Sequence, residues 1–444
     1  MSSIHSMFHA RSVAVVGASR TPGKTGNTIL RNLIDGGYQG AIYPINPQGG
    51  VLMGKPCYAS LDDISEDIDL IVVAIPARFV PGILEQAGRR HAKGAIIISG
   101  GFRETGNDAL EADTLDVARR CGIRLIGPNC QGLNYTPNHL CASWPLVSAC
   151  GTIAIVSQSG TIGAAMEIWA EQDHLGLSAF VALGNKSDIS EEELMMYFAD
   201  DPNTSVLALN VEGVKNGRSF IDCVRYCAER KPLIILKPGR SKRGQVAAQS
   251  HTKSIGGRDQ VFEAVCRQFG ALRAYDLSEF YDYAKIASLV KKPAGNRLAI
   301  VTSSGGSGIL AVDAAVENGI DIAPLEERAA QKLRAALPEQ CVIANPLDLT
   351  GDADAERFRL SLAVLLEQEG IDTVLAIFGD PIPGASEVLR DLAAHTTKRI
   401  IAAYLGGGEV EKTEVSALHE CGIPVFPTPE RAAKALGGLL RLGK

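Results

Sequence analysis

SVAVVGASRTPGKTGN, residues 12–27, carries the pattern on which the fold turns. Its opening run, apolar almost throughout, reads as a strand buried on both faces, which is the habit of parallel sheets. The run passes straight into a turn of Gly, Ala, Ser, Arg, Thr and Pro, and then into a helical stretch. The same succession returns at residues 151–163, GTIAIVSQSGTIG, and at residues 297–308, RLAIVTSSGGSG. Behind the first lie the apolar runs AIYPI, IDLIVVAIP, GAIIIS and IRLIG; behind the second, LSAFVALG, VLALNVEG and PLIILKPG. Behind the third lie IDTVLAIFGD, RIIAAYLGGG and IPVFPTPE. Strands alternating with longer helical stretches predict parallel α/β sheets with crossover helices. Pro, Gly and polar residues interrupt the pattern at CASWPLVSACG and SLVKKPAGNR, which divides the chain into residues 1–145, 146–291 and 292–444.

A chain of 444 residues exceeds what one hydrophobic core sustains, in keeping with several domains. A formal charge of −6 leaves no basic footprint for nucleic acid or an anionic membrane. No apolar run approaches the roughly 18 residues of a membrane span. The polar start MSSIHSMFHARS lacks the apolar centre of a signal peptide. A soluble, cytoplasmic protein is expected, and its ten cysteines then read as reduced thiols. Cys223 and Cys227 share a helix face without a second pair at zinc spacing, so they read as small core residues and no metal site is expected.

Each of the three turns opens a helix, whose first N–H groups and positive dipole end favour anions. Three such cradles suggest a ligand with several phosphates, or phosphate that moves. The first turn falls short of two familiar patterns. A P-loop has four residues between its first Gly and the Gly-Lys-Thr, whereas five separate Gly17 from Gly23. In G-x-G-x-x-G, Ser19 takes the place of the second glycine, and YPINP after the next strand lacks the acidic residue that holds a ribose. An NTPase and a nicotinamide oxidoreductase are both disfavoured; a different adenine-nucleotide ligand suits the turn better.

Of eight histidines, His5 and His9 lie in the N-terminal segment, while His174, His395 and His419 lie on or beside helices with polar neighbours and read as solvated. His251 differs. AAQSHTKSIGG places it between Ser250 and Thr252 in a Gly/Ser-rich loop, after PLIILKPG and the basic run GRSKRG, and this makes it a catalytic candidate. Glu212 follows the strand VLALNV at the C-terminal edge of a parallel sheet, where the sites of open α/β folds gather. It is either an exposed loop carboxylate or the partner of an imidazole, whose tautomer and charged form it would fix.

Taken in order, SVAVVGASRTPGKTGN, YPINP, ISGGFRETG, GPNCQGLNY, IVSQSGTIG, LGNKSDIS, FADDPNT, LNVEG, KPGRS, QSHT, TSSGGSG and NPLDLT form a collinear set. The set resembles the α subunit of the ADP-forming acetate–CoA ligase family, in the succinyl-CoA synthetase superfamily, over nearly the whole chain. The resemblance implies a Rossmann-like CoA-binding domain followed by two flavodoxin-like domains. It implies that CoA, as a substrate, meets Gly17, Ala18, Ser19, Arg20 and Lys24 in the first turn, Asn46 and Pro47 after the second strand, Ile75 and Pro76 after the third, and Asn129. It further implies that His251 carries a phosphoryl group with Glu212 as its paired carboxylate. Ser157, Gln158, Ser159 and Gly160, with Ser304, Gly305, Gly306 and Ser307, then correspond to the two helix N-termini that hold this phosphate. No ATP-grasp segment is found, so the resemblance implies a separate ATP-grasp β subunit that binds ATP or ADP with magnesium, in an α2β2 assembly.

The implied reaction converts a small carboxylic acid, CoA and ATP to acyl-CoA, ADP and phosphate, reversibly, through phosphohistidine and acyl phosphate. Lys253 departs from the family pattern, which has a small residue there. In an extended loop residues i and i+2 share a side, so this ammonium would favour an acid with a second anionic group, a dicarboxylate or a sulfonated acid. The alternative is that it points to solvent or steadies the phosphate. A non-catalytic CoA-binding scaffold or sensor built from the same domains is the competing class; the presence of both His251 and Glu212 argues against it.

Overall fold

The computed structural model describes residues 3–144, 149–252, 258–292 and 295–442, with the backbone alone at 248–252. They fall into two compact units, Met1–Glu171 with Gly176–Leu277, and Gln172–Leu175 with Ser278–Leu442.

The first unit holds two large sheets and a small antiparallel pair, Gly50–Leu52 with Lys55–Cys57. In the first, the strands run in the order Ala41–Ile45, Ser12–Val16, Leu70–Val73, Gly94–Ile97 and Arg124–Ile126, all parallel. Ser12–Val16, Leu70–Val73 and Gly94–Ile97 are buried at every position, which is why they read as unbroken apolar runs instead of alternating ones. The strand order reverses between Ser12–Val16 and Leu70–Val73. In open α/β sheets that reversal opens a crevice at the C-terminal ends of the two strands, and ligands bind in it.

The second sheet repeats the plan with Leu272–Ala274, Leu233–Leu236, Val206–Asn210, Cys150–Ser157 and Leu177–Ala182, again parallel. Its reversal lies between Cys150–Ser157 and Val206–Asn210. A hairpin of Gly132–Tyr135 and Leu140–Ser143 extends the edge in antiparallel sense. The grouping of residues 1–145 puts this hairpin with the first sheet, whereas Ala179 opposite Tyr135 and Val181 opposite Leu133 bond it to the second. Asn32, on the first sheet's helix Thr25–Asp35, donates to Ser143 O at 2.9 Å, so the hairpin is shared in packing between the two.

The second unit is built on Asp321–Ile322, Arg297–Thr302, Thr373–Phe378, Arg399–Tyr404 and Val425–Phe426, with Leu347–Asp348 also paired to Arg297–Thr302, all parallel. Phe358, Phe378 and Tyr404 fill its core with ring centroids 4.6 and 5.0 Å apart. In each of the three large sheets one of the three turns follows the first of the parallel strands, as the sequence predicts.

Two side-chain expectations have different outcomes. Cys223 and Cys227 lie buried on helix Gly217–Ala228, and burial pushes their thiols up to about 11 and about 12, as befits inert core residues. His419 is not solvated. It is 4% exposed on helix Glu409–Glu420, accepts from Val425 N at 3.2 Å, and is pushed down to about 4 by burial. Its helix turns this face to the core, a matter of packing that the polar residues beside it in sequence do not reveal. Among the described residues no helix is long and apolar enough to cross a membrane.

Candidate functional site

The first turn is shaped by two glycines. Gly17 has φ of +89°, and a Cβ there would stand 2.4 Å from Ala74 O; a Cβ on Gly26 would stand 2.0 Å from Gly17 O. Only glycine lets the turn lie between the end of Leu70–Val73 and the start of its own helix. Gly17 N and Ala18 N donate to Ile45 O at 3.1 and 3.2 Å, and Asn46 Nδ2 donates to Ala18 O at 2.7 Å. Arg20 reaches Gln48 Oε1 at 3.1 Å and Gly49 O. Gly17, Ser19, Arg20 and Asn46 are thus connected through the fully buried Ala18, with Pro47 and Lys24 exposed beside them and Lys24 at the N-cap of Thr25–Asp35.

A cleft of about 1040 Å³ opens within the first unit. Ala74, Ile75, Pro76, Ile98, Ser99, Gly100 and Asn129 line it from the strand ends of the first sheet. Gln158, Ser159, Gly160, Thr161 and Glu212 line it from the second. It therefore joins Ile75, Pro76 and Asn129 with the second turn and Glu212. Gly17, Ala18, Ser19, Arg20, Lys24, Asn46 and Pro47 are not in its lining, although Thr25, next to Lys24, is.

In the second turn, Ser157 Oγ donates to Ser159 O at 2.6 Å and Gln158 N donates to Asn210 O at 3.0 Å. Gln158 Oε1 accepts from Glu212 N at 2.6 Å and from Gly213 N at 3.1 Å, so the turn itself holds the backbone of the carboxylate that faces it. Glu212 is only 8% exposed, which sets aside its reading as an exposed loop residue.

Among the polar residues of the lining that sequence reasoning did not single out are Arg103, Glu104, Asn185, Lys186 and Lys215. Lys186, at φ of +44°, donates to Glu191 Oε1 at 2.6 Å and to Gly213 O; both side chains of the ion pair are essentially buried. Burial raises the Glu191 carboxyl, and Lys186 opposes the rise. Lys215 Nζ donates to Lys186 O at 2.6 Å. Arg103 donates to Asn185 O at 2.7 Å, and Asn185 in turn donates to Glu104 Oε2 at 2.7 Å and Glu111 Oε2 at 3.0 Å. Burial raises Glu104, but the bonds from Asn185, Gly101 N and Phe102 N outweigh it and hold the carboxyl below its ordinary value. The one signal available in sequence was position. Lys186 stands just past the strand Leu177–Ala182, and Lys215 three residues beyond Glu212.

The third turn, in the second unit, carries Ser304, Gly305, Gly306 and Ser307 at the start of helix Gly305–Glu317. Thr302 Oγ1 donates to Ser304 O at 2.9 Å, Ser303 Oγ accepts from Gly379 N at 2.9 Å, and Ser307 Oγ donates to Ser304 Oγ at 3.0 Å.

Up to Thr252 the stretch expected to be a loop is helical. The backbone of His251 lies in the last turn of Lys242–Thr252, because Gln245, Ala247, Ala248 and Gln249 are good helix formers ahead of it. Its side chain lies outside the described residues, as does Lys253 altogether.

Doubly wound sheets that share a cleft, with a helix N-terminus on one wall and a buried carboxylate beside it, define an α/β protein built to handle a phosphorylated ligand. Residues 11–136 match the CoA binding domain, 150–287 the succinyl-CoA ligase like flavodoxin domain and 298–442 the Ligase-CoA domain. The subunit alpha of acetate–CoA ligase (ADP-forming) I from Pyrococcus furiosus is 39% identical, the match covering 100% of this chain and 98% of the relative. Acetate–CoA ligase (ADP-forming) I from Archaeoglobus fulgidus is 38% identical over 99% of this chain, which spans 63% of that longer relative. Among solved structures, the Ca. Korarchaeum cryptofilum dinucleotide forming acetyl-coenzyme A synthetase 1, in complex with phosphate and ADP, superposes with a TM-score of 0.89 at 34% identity, covering 97% of this chain and 95% of that one. The chain belongs to the ADP-forming acetate–CoA ligase family.

Proposed function

We propose that this chain is the CoA-binding, phosphohistidine-carrying α subunit of an ADP-forming acyl-CoA synthetase, turning a carboxylic acid, CoA and ATP into acyl-CoA, ADP and phosphate, reversibly. One observation carries the reading: a single cleft runs from the strand ends beside the Gly17 turn to the second cradle and Glu212. An acyl group passed from phosphate to a thiol needs both ends of such a cleft.

Phosphoryl transfer is mostly positioning and neutralisation of charge. His251 accepts the phosphoryl group as a neutral imidazole, a competent nucleophile near pH 7. Glu212 orients the ring and balances its charge. The N–H groups at Ser159 and Gly160, with those of Ser304 to Ser307, offer the dipole ends that suit the phosphate oxygens. A carboxylate oxygen of the acid then takes the phosphoryl group, and attack of the CoA thiol on the acyl carbon releases phosphate. Gly17, Ala18, Ser19, Arg20, Lys24, Asn46, Pro47, Ile75, Pro76 and Asn129 are the residues proposed to hold CoA.

A separate ATP-grasp β subunit is proposed to bind the nucleotide with magnesium, in a cytoplasmic α2β2 assembly. Support comes from a relative's name: the Pyrococcus furiosus protein that this chain matches over 98% of its length is a subunit alpha. With that partner and γ-labelled ATP, acid-labile, base-stable label is expected on this chain and is abolished in His251→Asn; normal labelling and turnover in that variant contradict the reading. Lys253 is the residue on which a preference for an acid with a second anionic group rests. Comparing kcat/KM for acetate and succinate in wild type and Lys253→Gly decides it, an unchanged ranking returning this side chain to solvent.

A further inference from the structure

Beside Glu212 the cleft carries a cation that the phosphoryl transfer just described does not use. Lys215 lines the cavity with Arg103, Ser159 and Gly160. Its ammonium donates to Lys186 O at 2.6 Å, and among the described residues it forms no ion pair. The charges around it have partners of their own. Lys186 pairs with Glu191 at 2.6 Å, Arg103 with Glu111 at 3.7 Å, and Glu104 takes Asn185 and the N–H groups of Gly101 and Phe102. Burial, then Lys186 and Arg103, push the Lys215 ammonium below its ordinary pKa against the smaller pull of Glu191 and Glu111, and a directly paired negative charge is missing at this point among the described residues. An anion arriving from the cleft supplies it.

Two anions are expected there, the phosphoryl group and the acid. The phosphoryl group has the helix N-terminus at Ser159 and Gly160 to meet it. The acid has no such device, and it must bring a carboxylate up to a phosphoryl group that Glu212 also flanks. Three negative groups gathered in one cleft repel one another unless a cation stands among them.

We propose, on the reading of the preceding subsection, that Lys215 binds the carboxylate of the acid substrate and then the acyl phosphate it becomes. In that step a carboxylate oxygen forms the new P–O bond while the N–P bond of phosphohistidine breaks, and the bonding pair returns to the ring nitrogen. The ammonium keeps its proton throughout. Its bond to Lys186 O fixes the direction in which it presents the remaining two N–H groups.

The test uses the chain assembled with its ATP-grasp partner. His251 is loaded from γ-labelled ATP, nucleotide is removed, and the label is chased either with ADP or with acetate, propionate or succinate, whichever discharges wild type fastest. Lys215→Met should slow discharge to the acid at least tenfold and raise the KM for it, with discharge to ADP changed less than twofold. Lys215→Arg should recover most of the loss, and Lys215→Gln provides a second uncharged variant where Lys215→Met folds poorly. Discharge to the acid at the wild-type rate in the uncharged variants overturns the proposal, as does a parallel loss of both discharges, which marks Lys215 as only a cap on the Lys186 turn. Failure of wild type to label at all overturns the phosphohistidine reading itself, and this proposal with it.

Discussion

The turn that ends strand Cys150–Ser157 and the turn that ends strand Arg297–Thr302 are bonded almost atom for atom alike. Ser157 Oγ donates to Ser159 O, and Thr302 Oγ1 to Ser304 O. Leu183 N donates to Ser157 O and Leu349 N to Thr302 O, both at 2.8 Å. Gln158 N meets Asn210 O at 3.0 Å, and Ser303 N meets Ile377 O at 3.2 Å. The side chain of the same residue then accepts from the facing strand end, Gln158 from Glu212 N and Ser303 from Gly379 N. By this register Glu212 corresponds to Gly379. One turn faces a buried carboxylate with Lys186 and Lys215 behind it; the other faces a glycine followed by the exposed Asp380. The cradle is a general device of the doubly wound sheet, and on the proposed reading both turns offer N–H groups to phosphate while only the second has a carboxylate opposite.

The difference can be attacked at its support. Lys186→Met leaves Glu191 buried without its counter-ion, and the first unit should lose about 3–5 kcal/mol of stability, read by urea unfolding. Among the described residues the third turn has no such pair behind it, so no single charge removal there should approach that figure.

The second unit has its own buried titratable group, and this one serves the fold. Unfolded, His419 takes up a proton near pH 6.5; folded, it does so only near about 4. Its contribution is therefore complete above the unfolded value and is lost as pH falls from 6.5 towards 4, to the extent of about 3 kcal/mol. His419→Gln should flatten that part of the acid-unfolding curve; an unchanged slope would show that another group titrates there.

Smaller effects separate the two turns directly. Gln158→Leu strands two backbone donors, Glu212 N and Gly213 N, and should cost about 1–3 kcal/mol together with slower phosphoryl transfer. Ser303→Ala strands one donor, Gly379 N, and should cost about 1 kcal/mol with transfer hardly altered.

Much of this was legible because it is local. Unbroken apolar runs such as SVAVV and VLALN mark parallel strands, and a Gly/Ser turn after each first strand marks its crevice. Glu212 stood out because it ends one of those runs. What was not legible depends on residues far apart in sequence meeting in space. Arg103, Asn185 and Lys215 converge only because the two sheets of the first unit share a cleft. The Gly132–Ser143 hairpin joins the second sheet through pairs with residues some 45 positions away. His251 misled for a different reason: the small and hydroxyl residues around it suggested a loop, while the Ala and Gln before it propagate the helix.

The claim that Glu212, and not the cradle alone, makes the second turn the chemical one is tested by rapid-quench measurement of phosphohistidine formation in the reconstituted assembly. Glu212→Gln should slow it about a hundredfold with CoA affinity unchanged, while Asp380→Asn at the corresponding place in the third turn should leave it within twofold. Equal rates in wild type and Glu212→Gln, or a loss as large in Asp380→Asn, would contradict it.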